Sequence, residues 1–333
     1  MAINKTSGDE LSFQNDIEAE FGNNPLRSLG SYRNTHPDFQ NENLGELTDL
    51  PLDTGIPKSG EIKFSDFYGK QLNIVVDLHS TGSADYNLDV YTDRFANGNY
   101  DIVGRYKNSI NKNGWRGGKK VIIHINKTFG SAGASSQSDV AVKTGRFEYV
   151  DANNEELDID GWPSATDFSI DVGSNGIVAG KGGNGGNTGN EETPGQNGGT
   201  GTSAMKLINT AMQNVISIAS GGAIIAGGGG GGSGSGSEQN DSFLFFSDYN
   251  SATGGGGGGG AGVPAGNGGG NGGNGTQNSG GPGGAGGDDS EAEGGNGGNG
   301  GDPGASGGNA SGGKNLAGSN GAGGPGGSQY LFY

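Results

Sequence analysis

The chain has 333 residues, a formal net charge of −17 and no cysteine. This acidity argues against binding to free nucleic acid or to an anionic bilayer. The lack of cysteine excludes disulfides and cysteine-ligated zinc. The hydrophobic content of 29% is low and lies mostly before residue 172, so a conventional apolar core is expected only in that part.

Neither a targeting signal nor a membrane segment is expected. The first residues, Met1 to Lys5, contain no apolar h-region, so we predict no signal peptide. Since no apolar run approaches the roughly 18 residues of a transmembrane helix, we also predict no membrane insertion.

Residues 1–70 contain few regular elements. The stretch from Ser12 to Phe21 predicts one short helix with Ser12 as its N-cap, ended by Gly22. The stretch Gly60–Gly69 alternates apolar and polar residues, which favours a short strand or a turn of helix. The residues between them are rich in turn formers and are expected to be extended chain.

Residues 71–172 are expected to contain most of the ordinary strands. Runs rich in β-branched residues occur at 72–78 and 120–128, and shorter ones at 140–143, 146–150 and 168–172. Since helical periodicity is poor and Gly145 marks a hairpin turn, we predict a small antiparallel β-sandwich here. Between Ile123 and Ile125, His124 is expected to be a solvated or hydrogen-bonded strand residue rather than a ligand or a base.

The second half of the chain is dominated by glycine. Of the 163 residues from Asp171 to Tyr333, 60 are glycine, against 17 in the first 170. Two pure runs, 227–232 and 254–260, are surrounded by Gly-Gly-Asn triplets. Such a segment has almost no side chains to bury. It is either a flexible linker or a bundle of polyglycine II helices, whose outward-pointing amides need close neighbours.

Three features favour the ordered bundle. The glycine runs are interrupted about every 13 residues, close to one short strut plus a turn. The interrupting residues are the turn formers Pro, Asn, Asp and Ser. Apolar strands also alternate with the runs, and an internal repeat relates 176–183 (GIVAGKGG) to 222–229 (GAIIAGGG). We therefore predict a mostly β protein that ends in a polyglycine II helix sandwich over 173–333.

No set of residues predicts catalysis or a resident cofactor. The three histidines are dispersed, no Walker A loop is present, and no nucleophile elbow follows a strand. The acidic run Asp151–Asp160 lacks the glycine of an EF-hand, so a solvated hairpin tip is favoured over a calcium site. We expect a non-enzymatic protein without a metal or a cofactor.

Two stretches resemble a known signature. The sequences 16–22 (DIEAEFG) and 56–69 (IPKSGEIKFSDFYG) resemble the start of tail and virion structural proteins of T-even-like bacteriophages, including those of cyanobacterial hosts. The later order, a strand, then Ile-x-Ala-Gly, then a glycine run, is similar to the glycine-rich adhesins that cap long tail fibres in those phages.

This resemblance implies a tail-fibre adhesin that recognises a host-surface receptor through loops joining polyglycine II helices. Residues 1–70 would then be a virion-attachment arm that contacts other tail or fibre proteins, and residues 71–172 the β-sandwich domain. The receptor would be an outer-surface protein or a glycan, and the protein would be located in the virion. The alternatives are a purely architectural virion protein and, more remotely, an ice-binding lattice. The candidate attachment residues are Phe13, Ile17, Phe21, Phe64, Phe67 and Tyr68.

Aromatic residues between the glycine runs are the candidate receptor contacts, because rigid aromatic rings make good contact area. The alternative is that they pack against the lattice or the β domain. The candidate receptor-binding residues are Phe243, Phe245, Phe246, Tyr249, Gln277, Asn278, Tyr330 and Phe332. If the struts alternate in direction, turns near 246, 277, 303 and 330 share one edge, and turns near 263, 290 and 315 share the other. We therefore expect the first edge to face the receptor.

Overall fold

The computed structural model describes the following parts of the chain: residues 3, 5–18, 28–32, 55–57, 59–70, 74–78, 86–91, 120–132, 139–146, 149–150, 156–158, 161–162, 166–190, 192–243, 246–289 and 291–332. Strands dominate these residues, which confirms the prediction of a mostly β protein. The helices within them are a π-helix, Phe13–Glu18, and 3-10 helices at Leu29–Tyr32, Phe64–Phe67 and Thr210–Val215.

The first 70 residues contain a small hydrophobic core of their own. Its buried members are Ile3, Ile17, Tyr32, Ile56 and Phe67. The start and the end of this unit are joined, because the Ile3 amide donates to the Lys70 carbonyl (2.9 Å) and the Gly69 amide donates to the Ile3 carbonyl (3.0 Å). We call this unit the arm. Its first helix begins after Ser12, whose hydroxyl accepts from the Asn15 amide at 3.2 Å, as predicted for a cap.

Beyond the arm, eleven strands form three parallel sheets. The first sheet has the order β1 (Ile74–Asp77), β3 (Lys120–Ile125), β8 (Asp167–Val172), β11 (Ile216–Ile218). The second has the order β4 (Thr128–Phe129), β9 (Ile177–Ala179), β12 (Ala223–Ile225). The third has the order β2 (Leu88–Asp89), β5 (Val140–Lys143), β10 (Ser203–Leu207), β17 (Tyr330–Phe332). The first coil contributes β1 and β2, and each of the three later coils contributes one strand to every sheet. These strands therefore form a three-faced parallel solenoid of four coils.

The predicted antiparallel β-sandwich is therefore wrong. The sequence predicts the positions of these strands, because a run of β-branched residues indicates a strand. Such a run does not specify whether the neighbouring strand in the sheet is parallel or antiparallel. In the solenoid each strand pairs with one in the next coil, as in the register Val121↔Phe168. Antiparallel pairing between residues 74 and 172 occurs, among the described strands, at β6 (Tyr149–Val150) with β7 (Glu156–Asp158). The proposed domain boundary at 172/173 follows β8 directly, and later strands pair within the same sheets.

Trp162 lies at the centre of the solenoid core and is fully buried. Its indole Nε1–H donates to the Thr144 carbonyl at 2.6 Å, so its polar atom is satisfied. Its ring makes edge contacts with Tyr91 and Phe168 at centroid distances of 5.1 and 5.4 Å. Aliphatic side chains of all three sheets complete this core, among them Ile170 and Val178.

Two long insertions leave the solenoid at the same corner. One joins β9 to β10, and the other joins β12 to β17. The parallel register of β9 with β12 continues into these insertions, because the amides of Gly183 and Gly186 donate to the carbonyls of Gly228 and Gly231. The sequence repeat thus reflects two successive coils that leave the sheet side by side.

Within the insertions, ten extended segments, here called struts, are connected by regularly spaced hydrogen bonds. In chain order they are strut 1 (180–189), 2 (193–202), 3 (226–236), 4 (253–262), 5 (266–270), 6 (272–276), 7 (280–287), 8 (294–302), 9 (305–311) and 10 (319–327). We call this body the lattice. The described parts of 180–327 are thus a hydrogen-bonded body rather than a linker.

Strut 3 has six neighbours, and its hydrogen bonds repeat every three residues. The amides of 227, 230 and 233 donate to strut 2, those of 228, 231 and 234 to strut 4, and those of 229 and 232 to strut 9. Its carbonyls accept from struts 1, 8 and 10. Strut 4 is surrounded in the same way by struts 1, 3, 5, 6, 7 and 8. The two pure glycine runs are thus the two central struts.

Close approach of the backbones explains why these struts consist of glycine. A Cβ atom added at Gly230 would lie 1.9 Å from the Asn184 carbonyl oxygen, and one at Gly257 would lie 2.0 Å from that of Gly231. Outer struts have solvent on one side, and there asparagine occurs at the third position of the triplets. The Asn299 Oδ1 accepts from the Gly283 amide at 2.9 Å, so such side chains satisfy amides at the lattice edge.

Candidate receptor-binding tip

The lattice has two ends, because its struts run to and fro between the solenoid and a remote face. The remote face, here called the tip, consists of the described residues in the turn 189–193, the segments 237–252 and 288–293, and the loop 312–318. The segment 288–293 contains the antiparallel pair β15 (Asp288–Asp289) and β16 (Ala292–Glu293). Strut 3 joins β12 of the solenoid to this face over residues 226–236. At about 3.1 Å per residue for an extended three-fold chain, the tip stands roughly 30 Å from the solenoid.

A hairpin is the largest element of the tip. It pairs β13 (Ser237–Phe243) with β14 (Phe246–Ala252) in antiparallel register, from Ser237↔Ala252 to Phe243↔Phe246. Seven residues per strand extend it by roughly 20 Å. The candidate residues Phe243 and Phe246 therefore lie together at its far end, and Phe245 falls outside the described residues. Tyr249 is 49% exposed.

The base of the hairpin is attached to other parts of the tip. The buried Ser237 hydroxyl donates to the Lys314 carbonyl, and Ser237 bridges to Leu316. On the other strand, the Ser251 amide donates to the Asp289 carboxylate at 3.3 Å. These contacts hold the first residues of the hairpin on the lattice.

A side-chain network joins the hairpin to its two neighbours. The Gln239 Nε2 donates to the Glu291 carboxylate at 3.0 Å. Asn315 donates its Nδ2 both to the Gln239 Oε1 and to the Glu291 carbonyl. Asn315 has a φ of +57°, a backbone region that asparagine tolerates, and its place in the tip was not predicted. The signal that could have indicated a turn at this residue is the tolerance of asparagine for left-handed backbone, within the Lys314–Ala317 interruption of the glycine runs.

The tip is acidic. Its described side chains include six carboxylates and one lysine: Glu192, Glu238, Asp288, Asp289, Glu291, Glu293 and Lys314. Such a surface repels anionic groups and favours cationic or neutral ones. Among the residues that the structure describes, no group of three or more metal-ligating side chains is present. Most of the run Asp151–Asp160 lies outside the described residues.

Four other candidate residues lie at the solenoid end of the lattice. Gln277 and Asn278 are in the turn Thr276–Ser279, which is closed by the Thr276 amide donating to the Ser279 carbonyl at 2.8 Å. Tyr330 and Phe332 are in β17, paired with Met205 and Leu207 of β10. The structure thus brings Phe243, Phe246 and Tyr249 together on one hairpin and places these four far from it.

The expectation that turns near 246, 277, 303 and 330 share one edge is wrong. The hairpin lies with the turns near 290 and 315, whereas 277, 303 and 330 lie with 263. The cause is one additional reversal at Gly270–Asn271, which divides a strut into the half-length struts 5 and 6. Gly270 has a φ of +49°. Because this turn contains only residues typical of the triplets, it gave no signal, and it reversed the assignment of every later turn.

In the arm, the candidate attachment residues fall into two groups. Ile17 and Phe67 are fully buried in the arm core. Phe64 is 42% exposed and lies edge-on to the half-buried ring of Phe13 at 6.2 Å. The Tyr68 hydroxyl donates to the Asp9 carbonyl at 2.6 Å. The sixth candidate, Phe21, lies outside the described residues.

Two carboxyl groups of the arm have perturbed acidity. The Lys5 ammonium, which donates to Asp16 at 2.8 Å, and the Ser12 amide hold the pKa of Asp16 below its usual 3.8. The Thr6 amide and hydroxyl lower the pKa of Asp9 in the same way.

His124 lies in β3 of the solenoid. Its side chain is buried rather than solvated, and the residue is in register between Asp77 of β1 and Asp171 of β8.

Comparison with known proteins identifies the family. The family model of the phage tail fibre adhesin Gp38 matches residues 86–330, from β2 through the lattice to β17. The chain belongs to the Gp38 tail fibre adhesin family. This confirms the resemblance to glycine-rich tail-fibre adhesins and places the protein in the virion tail. The arm lies outside the matched residues.

Other comparisons add little. A search of curated proteins gave no match. The crystal structure of the gp37–gp38 adhesin tip complex of the bacteriophage S16 long tail fibre matches with a TM-score of 0.29 and 16% identity. The match covers 83% of this chain and 86% of that chain. Among the described residues, no helix is long and apolar enough to cross a membrane.

Proposed function

We propose that this adhesin attaches to its host by reversible binding of the tip to an outer-surface protein or glycan. The observation that carries this proposal is the hairpin 237–252, which projects beyond the lattice and is attached at its base. Loops held on a rigid scaffold lose little conformational entropy on binding, so more of the contact energy appears as affinity. The exposed ring of Tyr249 offers contact area at low entropic cost.

The scaffold in this proposal is a sandwich of polyglycine II helices. Its support is the three-residue repeat of hydrogen bonds around struts 3 and 4, since such a helix has three residues per turn. Six neighbours around each central strut satisfy most of its amides and carbonyls through backbone groups. Asparagine side chains accept from two further amides, those of Ser235 and Gly256. Protein groups alone then perform the function, and we propose neither catalysis nor a cofactor.

The tip can be tested by exchanging the residues at the end of the hairpin. Replacement of Phe243–Phe246 by a two-residue Asn-Gly turn keeps the rest of the hairpin paired, because this turn suits antiparallel strands. The matched control replaces the turn Thr276–Ser279, at the opposite end of the same lattice, by Gly-Ser residues. Both variants and the wild type are labelled and incubated with cells of bacterial strains that the phage infects.

We expect the hairpin variant to lose binding and the control to retain it. If the protein were purely architectural, the wild-type protein would not bind the cells of any strain that its phage infects. If binding depends on the solenoid end, the control exchange removes it and the hairpin exchange does not. Either result would overturn the assignment of the tip.

We also propose that the arm attaches the adhesin to another tail or fibre protein through the exposed ring of Phe64. The arm core is separate from the solenoid core, and the two ends of the arm are joined, so the arm is suited to act as a docking unit. Phe64→Ala should weaken co-purification with fibre proteins of the same phage while leaving cell binding intact. As a control, Glu61→Ala changes an exposed neighbour without removing an aromatic ring. Equal co-purification of all three proteins would contradict the proposal.

A further inference from the structure

Eight Asn–Gly pairs occur between residues 184 and 321. Their asparagines are Asn184, Asn197, Asn267, Asn271, Asn274, Asn296, Asn299 and Asn320. Asn–Gly is a chemically reactive sequence in flexible chains. Glycine has no Cβ, so its backbone nitrogen can approach the side-chain carbonyl carbon of the preceding asparagine.

In the lattice, the backbone amide that would carry out this attack is already used in all eight pairs. Seven of these glycine amides donate to a backbone carbonyl and one to an asparagine side chain, at distances between 2.7 and 2.9 Å. The bonds run from Gly185 to Asn267, Gly198 to Ala322, Gly268 to Asn274, Gly272 to Gly269, Gly275 to Gly266, Gly297 to Gly284, Gly300 to Gly281 and Gly321 to Ser233.

The asparagine side chains are held as well. In seven of the eight pairs the Oδ1 accepts from the amide of another lattice residue, for example Asn184 from Asn267 at 3.0 Å and Asn320 from Ser235 at 2.9 Å. The others are Asn197, Asn271, Asn274, Asn296 and Asn299. Rotation of such a side chain towards its own backbone would break a bond at the lattice edge.

We propose that these Asn–Gly pairs are latent deamidation sites, which the lattice holds unreactive and which react when it opens. In the reaction the glycine nitrogen forms a bond to the asparagine Cγ, and the side-chain amide leaves as ammonia. Water then opens the resulting cyclic imide at either carbonyl, which gives aspartate or isoaspartate. The only co-reactant is water.

The products explain why opening would damage the lattice permanently. Isoaspartate adds one methylene group to the backbone, so the amides that follow no longer match a three-residue repeat. Aspartate keeps an acceptor oxygen but adds a negative charge to a chain whose net charge is already −17. This inference rests on the hydrogen bonds of the lattice and does not depend on what the tip binds.

The test compares the full-length protein in mildly alkaline buffer with the same protein unfolded in urea at the same pH. Peptide mapping by mass spectrometry follows aspartate and isoaspartate at each of the eight sites. Because reaction in the folded protein requires local opening, we expect each site to react at least about 100-fold more slowly there, equivalent to about 2.8 kcal/mol of opening free energy. Similar rates in the folded and the unfolded protein would overturn the proposal.

Ala310→Gly provides an independent check. It converts Asn309–Ala310 into a ninth Asn–Gly pair of the lattice. The amide of residue 310 donates to the Gly321 carbonyl at 3.0 Å, and the Asn309 side chain accepts from the Gly323 amide at 2.9 Å. We expect this site to react in urea and to be as protected as the other eight in the folded protein. Reaction of the new site at its urea rate, while the other eight stay protected, would show that the hydrogen bonds are not the protecting feature.

Discussion

A single methyl group in a central strut should disrupt the lattice. Gly230→Ala would place a Cβ atom 1.9 Å from the Asn184 carbonyl oxygen, whereas real Cβ contacts are essentially never under 3.0 Å. Struts 1 and 3 would have to separate locally by about 1 Å, and these backbones are already at packing distance. That shift breaks the bonds from Gly183 to Gly228 (2.8 Å) and from Gly186 to Gly231 (2.9 Å).

The magnitude follows from these two bonds. Each leaves a buried group unsatisfied, at a cost of about 1–3 kcal/mol, so the pair costs about 2–6 kcal/mol. The reduced entropy of the unfolded chain offsets about 0.4–1 kcal/mol of this. We therefore expect Gly230→Ala to destabilise the lattice by about 1–5.5 kcal/mol.

Gly308→Ala is the matched control, because a Cβ there would meet its nearest atom, the Asn299 nitrogen, at 3.3 Å. Its effect should lie within about 1 kcal/mol of zero. The appropriate assay is hydrogen exchange of the amides in struts 1 and 3, since a chain with separate cores need not unfold in one step. If Gly230→Ala protects these amides as well as Gly308→Ala does, close backbone approach is not what holds the lattice together.

Three further predictions concern the lattice edge, the solenoid and the arm. Asn299→Ala removes the acceptor of the Gly283 amide at the lattice edge and should cost about 0.5–1.5 kcal/mol of local stability, measured by hydrogen exchange. Asn187→Ala, at an exposed triplet position, is the control and should cost less. Equal effects would contradict the idea that asparagine side chains stabilise the edge by accepting from its amides. Trp162→Ala should destabilise the solenoid by about 3–5 kcal/mol in denaturant unfolding, and a loss under 1 kcal/mol would disprove its central role. Because the folded pKa of Asp16 is depressed, its bond to Lys5 stabilises the arm above pH 3.8 and is lost as pH falls through the lower, folded value. Asp16→Asn should therefore flatten the acid dependence of proteolysis in the arm, and an unchanged pH profile would refute this.

Much of the local structure was predictable from sequence because it depends on local chemistry. The β-branched runs predicted β3, β5 and β8, and Ser12 predicted the start of the first helix. The repeat of 176–183 at 222–229 indicated two equivalent strands that enter glycine runs, and these are β9 and β12. The candidate aromatic residues of 243–249 were found because they interrupt the glycine runs.

Pairing direction and the position of the turns could not be read from the sequence. The two partners of β8 lie far along the chain, 47 residues before it (Lys120↔Asp167) and 46 residues after it (Ile216↔Ile170). Nothing in the residues of β8 itself specifies a parallel neighbour. The reversal at Gly270–Asn271 has the same composition as the straight triplets around it. One missed turn was enough to assign Gln277 and Tyr330 to the face that carries the hairpin.

The amino-acid sequence by itself determined which segments are extended, where apolar side chains are available for a core, and which segments consist of glycine and can therefore pack backbone against backbone. These properties depend on each residue and its immediate neighbours. Only the tertiary structure decided that the strands coil in parallel, that the two pure glycine runs occupy the centre, and which loops meet at the tip. The physical reason is that backbone hydrogen bonds are alike at every residue, so their partners are selected by the register of distant segments.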